Sequence, residues 1–198
     1  MHAVPRSRRL AHFPAHTLMN LSTLAIGLGL IFALPALYGV LQPAAFARLA
    51  RQFPRYTPVG WVLTLIATVW FLYWVSLETV QDFKPMKPFL YLLFGGVGIG
   101  TCVYVRDYLP VRGLAILLLL AAKLMVDTAR VVDTDWRLVI VTWAYVWVFA
   151  GMWLTISPWR LRDLIQWATA SESRTRVVNG IRLGFATLVL VLGLTVFR

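Results

Sequence analysis

One group of charged residues has a spacing that could carry chemistry in or near a membrane. Lys123 and Asp127 are four residues apart, and Asp127 and Arg130 are three apart, so a helix would place all three on one face. Charges near lipid are costly unless they are paired, and they often mark a functional site. This polar cluster indicates either an ion-binding vestibule, which Glu78 would join, or an ion-paired helix end from which Lys123 extends toward the headgroups.

Arginines form a second candidate site, at the ends of apolar runs and in the connections between them. Cations at these positions attract anionic lipid headgroups. For Arg182, near the start of the last apolar run, simple extension toward the membrane surface is an alternative to phosphate binding. The arginines that we predict to bind headgroups are Arg48, Arg51, Arg55, Arg160, Arg162, Arg174, Arg176 and Arg182.

Other chemistries are disfavoured by where the reactive side chains lie. The three histidines, at positions 2, 12 and 16, all precede the first apolar run, whereas intramembrane haem and most zinc sites need imidazole inside the bundle. The single cysteine, Cys102, lies within an apolar run and excludes an intramolecular disulfide. No pair of carboxylates or nucleophile–base string is visible. We therefore expect no catalytic site, no metal and no cofactor.

Composition places these residues in a membrane protein. Of the 198 residues, 60% are hydrophobic and 14% are charged, against roughly 45–50% and 25% in soluble domains. A soluble globule could not bury so much apolar surface, which must instead face lipid. The net charge of +11 is spread over many helix ends, and this distribution argues against a nucleic-acid-binding protein with one basic face.

Six apolar segments have the length of about 20 residues that a membrane-spanning helix requires. We expect an all-α polytopic bundle, with a basic tail at residues 1–17 and a single transmembrane domain at residues 18–198. The fourth segment is the weakest, because Arg112 and Lys123 flank it, and it could be short or re-entrant. The predicted spans are Leu18–Leu41, Pro58–Leu77, Pro88–Val105, Pro110–Val126, Leu138–Ile156 and Val177–Phe197.

Two connections are long enough to have structure of their own. Pro43–Thr57 and Pro158–Arg176 carry apolar residues on one helical face and cations on the other, which predicts short amphipathic helices at the headgroup level. The chain therefore divides into three hairpins, each with a basic connection between two spans. Ten Lys and Arg lie on the side of these connections and nine on the side of the termini, so the positive-inside rule does not set the orientation.

Small and aromatic residues within the spans predict packing surfaces. Gly96 and Gly100 form a GxxxG face, to which Gly95 is adjacent, and such a face lets another helix approach closely, within the chain or in a partner. Two tryptophan pairs with a spacing of four residues, Trp70 with Trp74 and Trp143 with Trp147, predict surfaces that face lipid or a partner.

The segment 157–197 resembles, in its Pro-Trp-Arg-Leu-Arg-Asp motif and its final glycine-spaced apolar run, small bacterial inner-membrane proteins in which two helices flank a basic amphipathic connection. This resemblance covers one fifth of the chain and implies no activity. We expect an integral protein of the bacterial inner membrane. The function we expect is that of a non-enzymatic subunit or scaffold, with lipid and either partner subunits or further copies of itself around it. A small oligomeric transporter or channel is the alternative.

Overall fold

Eight α-helices make up the computed structural model, which describes residues 20–78, 84–105 and 107–197. Six of them are long and apolar enough to cross a membrane. The predicted tail at 1–17 lies outside the described residues. The helices are α1 (Leu21–Leu41), α2 (Pro43–Gln52), α3 (Thr57–Leu77), α4 (Lys87–Tyr104), α5 (Leu109–Ala129), α6 (Arg137–Ile156), α7 (Trp159–Ala168) and α8 (Glu172–Thr195).

The prediction of an all-α polytopic bundle is confirmed, and no strand occurs in the described ranges. The fourth segment, α5, is a full span of 21 residues and contributes more buried residues than the other spans. Arg112, the first of its two flanking charges, is in the first turn of the helix. The second, Lys123, lies about 9 Å along the helix axis from the last residue, at 1.5 Å per residue.

The core lies where α1, α5, α6 and α8 meet, and aromatic rings fill it. Phe32 of α1 contacts both Trp143 and Trp147 of α6, with ring centroids 5.1 and 5.3 Å apart. Phe185 of α8 contacts Trp143 from the other side. The expectation that Trp143 and Trp147 face lipid or a partner is therefore wrong, because both are buried in this core. Their pairing at a spacing of four residues follows the inner face of α6.

The helices α3 and α4 form the periphery, with α3 against α5 and α4 mainly against α3. Glycines allow these close approaches. A Cβ at Gly113 of α5 would lie 2.8 Å from the backbone nitrogen of Thr64, and one at Gly98 of α4 would meet the side chain of Thr68 directly. Small residues at helix contacts are typical of membrane bundles, where packing rather than water exclusion holds helices together.

The three predicted hairpins describe the order of the chain but not its packing. The spans on either side of each basic connection are α1 and α3, α4 and α5, and α6 and α8. The principal contacts are instead α1 with α8, α5 with α6, and α3 with both α5 and α4. For the first and third hairpins, the short helix α2 or α7 explains the difference, because it carries the chain sideways before the next span begins. The connection between α4 and α5 is only four residues long.

Both long connections form the expected amphipathic helices. The first gives α2, followed by a 3₁₀ turn over Phe53–Arg55, and the second gives α7. The second ends earlier than predicted, because Ser171 caps α8 by accepting a hydrogen bond from the backbone N–H of Arg174. Arg174 and Arg176 are therefore in the first turns of the last spanning helix rather than in a connection.

The contact between α3 and α5 predicts how one substitution changes stability. Gly113→Ala should lower the free energy of unfolding by about 1–3 kcal/mol, because the added methyl meets backbone that cannot rotate away. The measurement is thermal or denaturant unfolding in detergent. The matched control is Gly184→Ala in α8, where a Cβ would have open space around it and where alanine favours the helix. Equal behaviour of the two variants would contradict this packing.

Candidate functional site

The carboxyl end of α7 is held by two arginines from other helices. Arg51 of α2 donates from Nε to the hydroxyl of Thr169, at 3.0 Å, and from Nη2 to the carbonyl of Thr169, at 2.6 Å. Arg174 of α8 donates from Nη1 to the carbonyl of Trp167, at 3.3 Å. The last carbonyls of a helix lack partners within it and carry partial negative charge, so both guanidinium groups complement this end.

The other end of α7 is tied to the start of α5. Arg162 donates from Nε and Nη2 to Asp163, and from Nη1 to the hydroxyl of Tyr108, at 3.4 Å. The hydrogen bonds and charge of Asp163, together with Tyr108, raise the pKa of the Arg162 guanidinium above its usual value. Tyr108 precedes α5 in a left-handed backbone conformation, with φ of 54°, which non-glycine residues seldom adopt. This ring packs against Val111, Ala115 and Leu154.

The hydrogen bonds of Arg51, together with contacts of the 3₁₀ turn to α2 and α7, join these three elements into one layer at one end of the spanning helices, which we call the interfacial platform. No residue of α7 is fully buried. The apolar packing of α7 is therefore limited, and the polar contacts at its two ends add to the interactions that hold it in place. Three of the eight predicted headgroup ligands, Arg51, Arg162 and Arg174, make hydrogen bonds within the chain. The other five have exposed side chains and form no ion pair among the described residues: Arg48, Arg55, Arg160, Arg176 and Arg182.

The platform side of the molecule is strongly basic. Eight arginines of the described residues lie in its connections and in the first two turns of the adjoining helices, against three acidic residues, Asp107, Asp163 and Glu172. Of these three, only Asp163 is in an ion pair in the described part of the chain. Arg182, the eleventh residue of α8, lies further along the span. The excess of five cations is therefore concentrated at one end of the spanning helices.

The polar cluster at the other end is smaller than predicted. Lys123 and Asp127 form an ion pair, and the Lys123 ammonium also lies over the ring of Trp74, 4.0 Å from its centroid. Trp74 was predicted to face lipid or a partner, and its indole nitrogen is instead buried beside α5 without a hydrogen-bond partner in the described residues. Arg130 and Glu78 form no ion pair with this cluster there.

The predicted glycine face has no partner within the described part of the chain. Around Gly96 and Gly100, added Cβ atoms would meet nothing within 4 Å, and at Gly95 only Leu72 comes within reach. Gly98, which sequence reasoning did not single out, makes the contact with α3. Packing of the Gly96 and Gly100 face against a partner stays a prediction.

Asn179 is a further polar residue of the fold, buried in α8 against Gly39 of α1. Its side-chain nitrogen donates to the carbonyl of Thr175, at 2.9 Å, while its oxygen is buried without a partner in the described residues. A Cβ on Gly39 would lie 2.5 Å from the amide carbon of Asn179. Asn179 is visible in the sequence as a polar residue deep in the last span, whereas Thr169 and Tyr108 are not, because neither has a charge or a spacing that indicates a partner distant in sequence.

Metal ligands are not gathered in the described ranges, where no three His, Cys, Asp or Glu side chains lie close enough to hold an ion.

Comparisons of the chain with protein-family models, with curated proteins and with solved structures found no match.

The ion pair between Lys123 and Asp127 predicts coupling between the two residues. Lys123→Met should destabilise the protein by leaving Asp127 unpaired near lipid, and Asp127→Asn should destabilise it by leaving the ammonium unpaired. The double variant should recover part of the loss, with a coupling free energy of about 0.3–0.5 kcal/mol, as for ion pairs four residues apart on one helix. A double-mutant cycle of unfolding in detergent measures this quantity. Additive effects would show that the pair contributes nothing.

Proposed function

We propose that this protein is a small non-enzymatic scaffold or subunit of a membrane complex, and that its interfacial platform binds anionic lipid headgroups. The observation that carries the proposal is the joining of α2 and α7 at one membrane face by Arg51 and Thr169, residues 118 positions apart. Amphipathic helices with cations on the polar face bind interfaces through apolar burial and attraction to anionic lipid. The inner membrane of a bacterium, where anionic lipids occur, is the location we propose for it.

The exposed arginines of the platform support this proposal by their position. Arg48 lies on α2, Arg55 ends the 3₁₀ turn and Arg160 begins α7, and all three have exposed side chains. Exposed guanidinium groups bind phosphate oxygens through paired hydrogen bonds, and each cation near an anionic surface contributes about 1 kcal/mol to binding.

Assembly with other subunits or with a second copy is the other half of the proposal. The helix α4 packs mainly on α3 and leaves open space beside Gly96 and Gly100, which lie on a different face from Gly98. A face of small residues suits the close approach of another transmembrane helix.

The alternative, a small transporter or channel, would use Lys123 and Asp127 at its mouth. The aromatic core weighs against it, because the buried rings of Trp143 and Trp147 pack with Phe32 inside the four-helix region. Solute flux through the purified protein in liposomes, reduced in Asp127→Asn, would favour this alternative over the scaffold.

Removal of two platform charges tests headgroup binding. Arg48→Gln with Arg160→Gln should weaken the preference for phosphatidylglycerol over phosphatidylcholine by up to about 1 kcal/mol for each arginine removed. Electron paramagnetic resonance of spin-labelled lipids in reconstituted bilayers measures this preference as the fraction of each lipid held at the protein surface.

The matched control removes the same net charge at the opposite end. Lys84→Gln with Arg130→Gln also replaces two exposed cations, and it should change the preference less. An equal loss in both double variants would mean that net charge, rather than the platform, sets the lipid preference.

Substitution on the exposed glycine face tests assembly. Gly96→Leu with Gly100→Leu should reduce cross-linking between the protein and its partner or second copy, since the bulky side chains prevent close approach. The fold should be retained, because these positions have open space around them. Unchanged cross-linking in a folded variant would rule out this face as the interface.

A further inference from the structure

Arg51 and Arg174 bring two guanidinium groups to the same turn of backbone. Arg51 binds the carbonyl of Thr169 and Arg174 binds the carbonyl of Trp167, two residues earlier. The helix α7 ends at Ala168 and Thr169 is the residue that follows it, so both carbonyls lie at the carboxyl end of α7. Two like charges are therefore held at one helix end.

The negative end of one helix does not balance two full positive charges. A helix carboxyl terminus is equivalent to roughly half an elementary charge, and the nearest acid on α8 in sequence, Glu172, forms no ion pair among the described residues. This junction of α2, α7 and α8, which we call the arginine corner, therefore has an excess of positive charge.

Both side chains retain donors that the chain does not use. A guanidinium group has five N–H donors; Arg51 uses its Nε and Nη2 for Thr169, and Arg174 uses its Nη1 for Trp167. The fork of a guanidinium group matches two oxygens of a phosphate. Two forks from separate helices can share one phosphate group between them.

The surroundings of the corner favour a phosphate that belongs to a lipid. The indole of Trp167 is 60% exposed, and the Arg174 guanidinium lies 5.4 Å from its centroid. An exposed tryptophan at a helix end is typical of the headgroup level of a membrane, where its apolar ring meets acyl chains.

We propose that the arginine corner is a specific site for the phosphate group of one anionic phospholipid, bound between Arg51 and Arg174 beside Trp167. This inference rests on the proposed function and identifies one site within it. The bound phosphate would lower the repulsion between the two arginines, and so would help to hold α2, α7 and α8 together. The platform arginines that form no hydrogen bond to the chain would bind lipid less selectively.

The test compares the full-length protein with Arg51→Lys and Arg174→Lys combined, which keeps the charge and removes the guanidinium forks. Native mass spectrometry in mild detergent, with added phosphatidylglycerol, measures the apparent Kd of the first bound lipid. We expect this Kd to rise about fivefold or more in the double variant, because a lysine ammonium keeps the charge but cannot form the paired hydrogen bonds of a guanidinium group to phosphate. The matched control, Arg130→Lys at the opposite end of the bundle, where the side chain is also exposed, should leave it unchanged.

The other outcomes separate this site from the proposed function. An unchanged Kd in the double variant would overturn the arginine corner while leaving the platform in place. Equal binding of phosphatidylglycerol and phosphatidylcholine by the wild-type protein would overturn the proposed function itself. Displacement of the first lipid by millimolar inorganic phosphate would mean that the site binds free phosphate in preference to a lipid headgroup, and would overturn the lipid site.

Folding of the variants is checked by helix content in circular dichroism. If the double variant loses helix content, Arg174→Lys alone gives the comparison, because it leaves the hydrogen bonds from Arg51 to Thr169 in place. That single variant should still raise the Kd of the first phosphatidylglycerol, and a wild-type value would overturn the site.

Discussion

The hydrogen bonds from Arg51 to Thr169 are the interaction on which the functional side of the molecule depends. They join the connection that leaves α1 to the connection that enters α8, at the end of the bundle where α1 and α8 are already packed together. The polar end of α7 needs such partners, since the carbonyls of its last turn have none within the helix. Without them α2 and α7 would be two separate surface helices.

Inside the membrane, the spanning helices are held together by the close fit of their surfaces rather than by polar contacts. Apolar side chains gain little from leaving lipid for a protein interior, so small residues and interlocking rings must hold the helices together. Gly113 lets α5 approach α3, and Phe32 packs with the buried tryptophans of α6 in the core. A closed aromatic centre with a charged rim suits a protein that holds other molecules at its surface.

The sequence predicted the spans and both amphipathic helices because each leaves a local signal. Length and hydropathy identify a span, and the alternation of Arg160 and Arg162 with Leu161 and Leu164 identifies α7. The cation positions at helix ends follow from the same cause, since charge is excluded from the hydrocarbon core.

Which helices pack against each other could not be predicted from such local signals. The hairpin order suggested that α1 would pack on α3, yet α1 packs on α8, and nothing local in the sequence records that choice. The role of Arg51 was hidden for the same reason: its partner is a threonine far along the chain. Gly98 rather than Gly96 contacts α3 because the direction of approach of α3, not the motif, selects the face.

The lipids that remain bound to the protein after gentle purification test most directly whether the interfacial platform binds anionic headgroups. The measurement compares the composition of the bound lipids with that of the membrane from which the protein was extracted. A platform that binds anionic headgroups predicts a bound fraction enriched in phosphatidylglycerol or other anionic phospholipids. A bound fraction with the same composition as the bulk membrane would contradict selective binding of anionic headgroups by the platform.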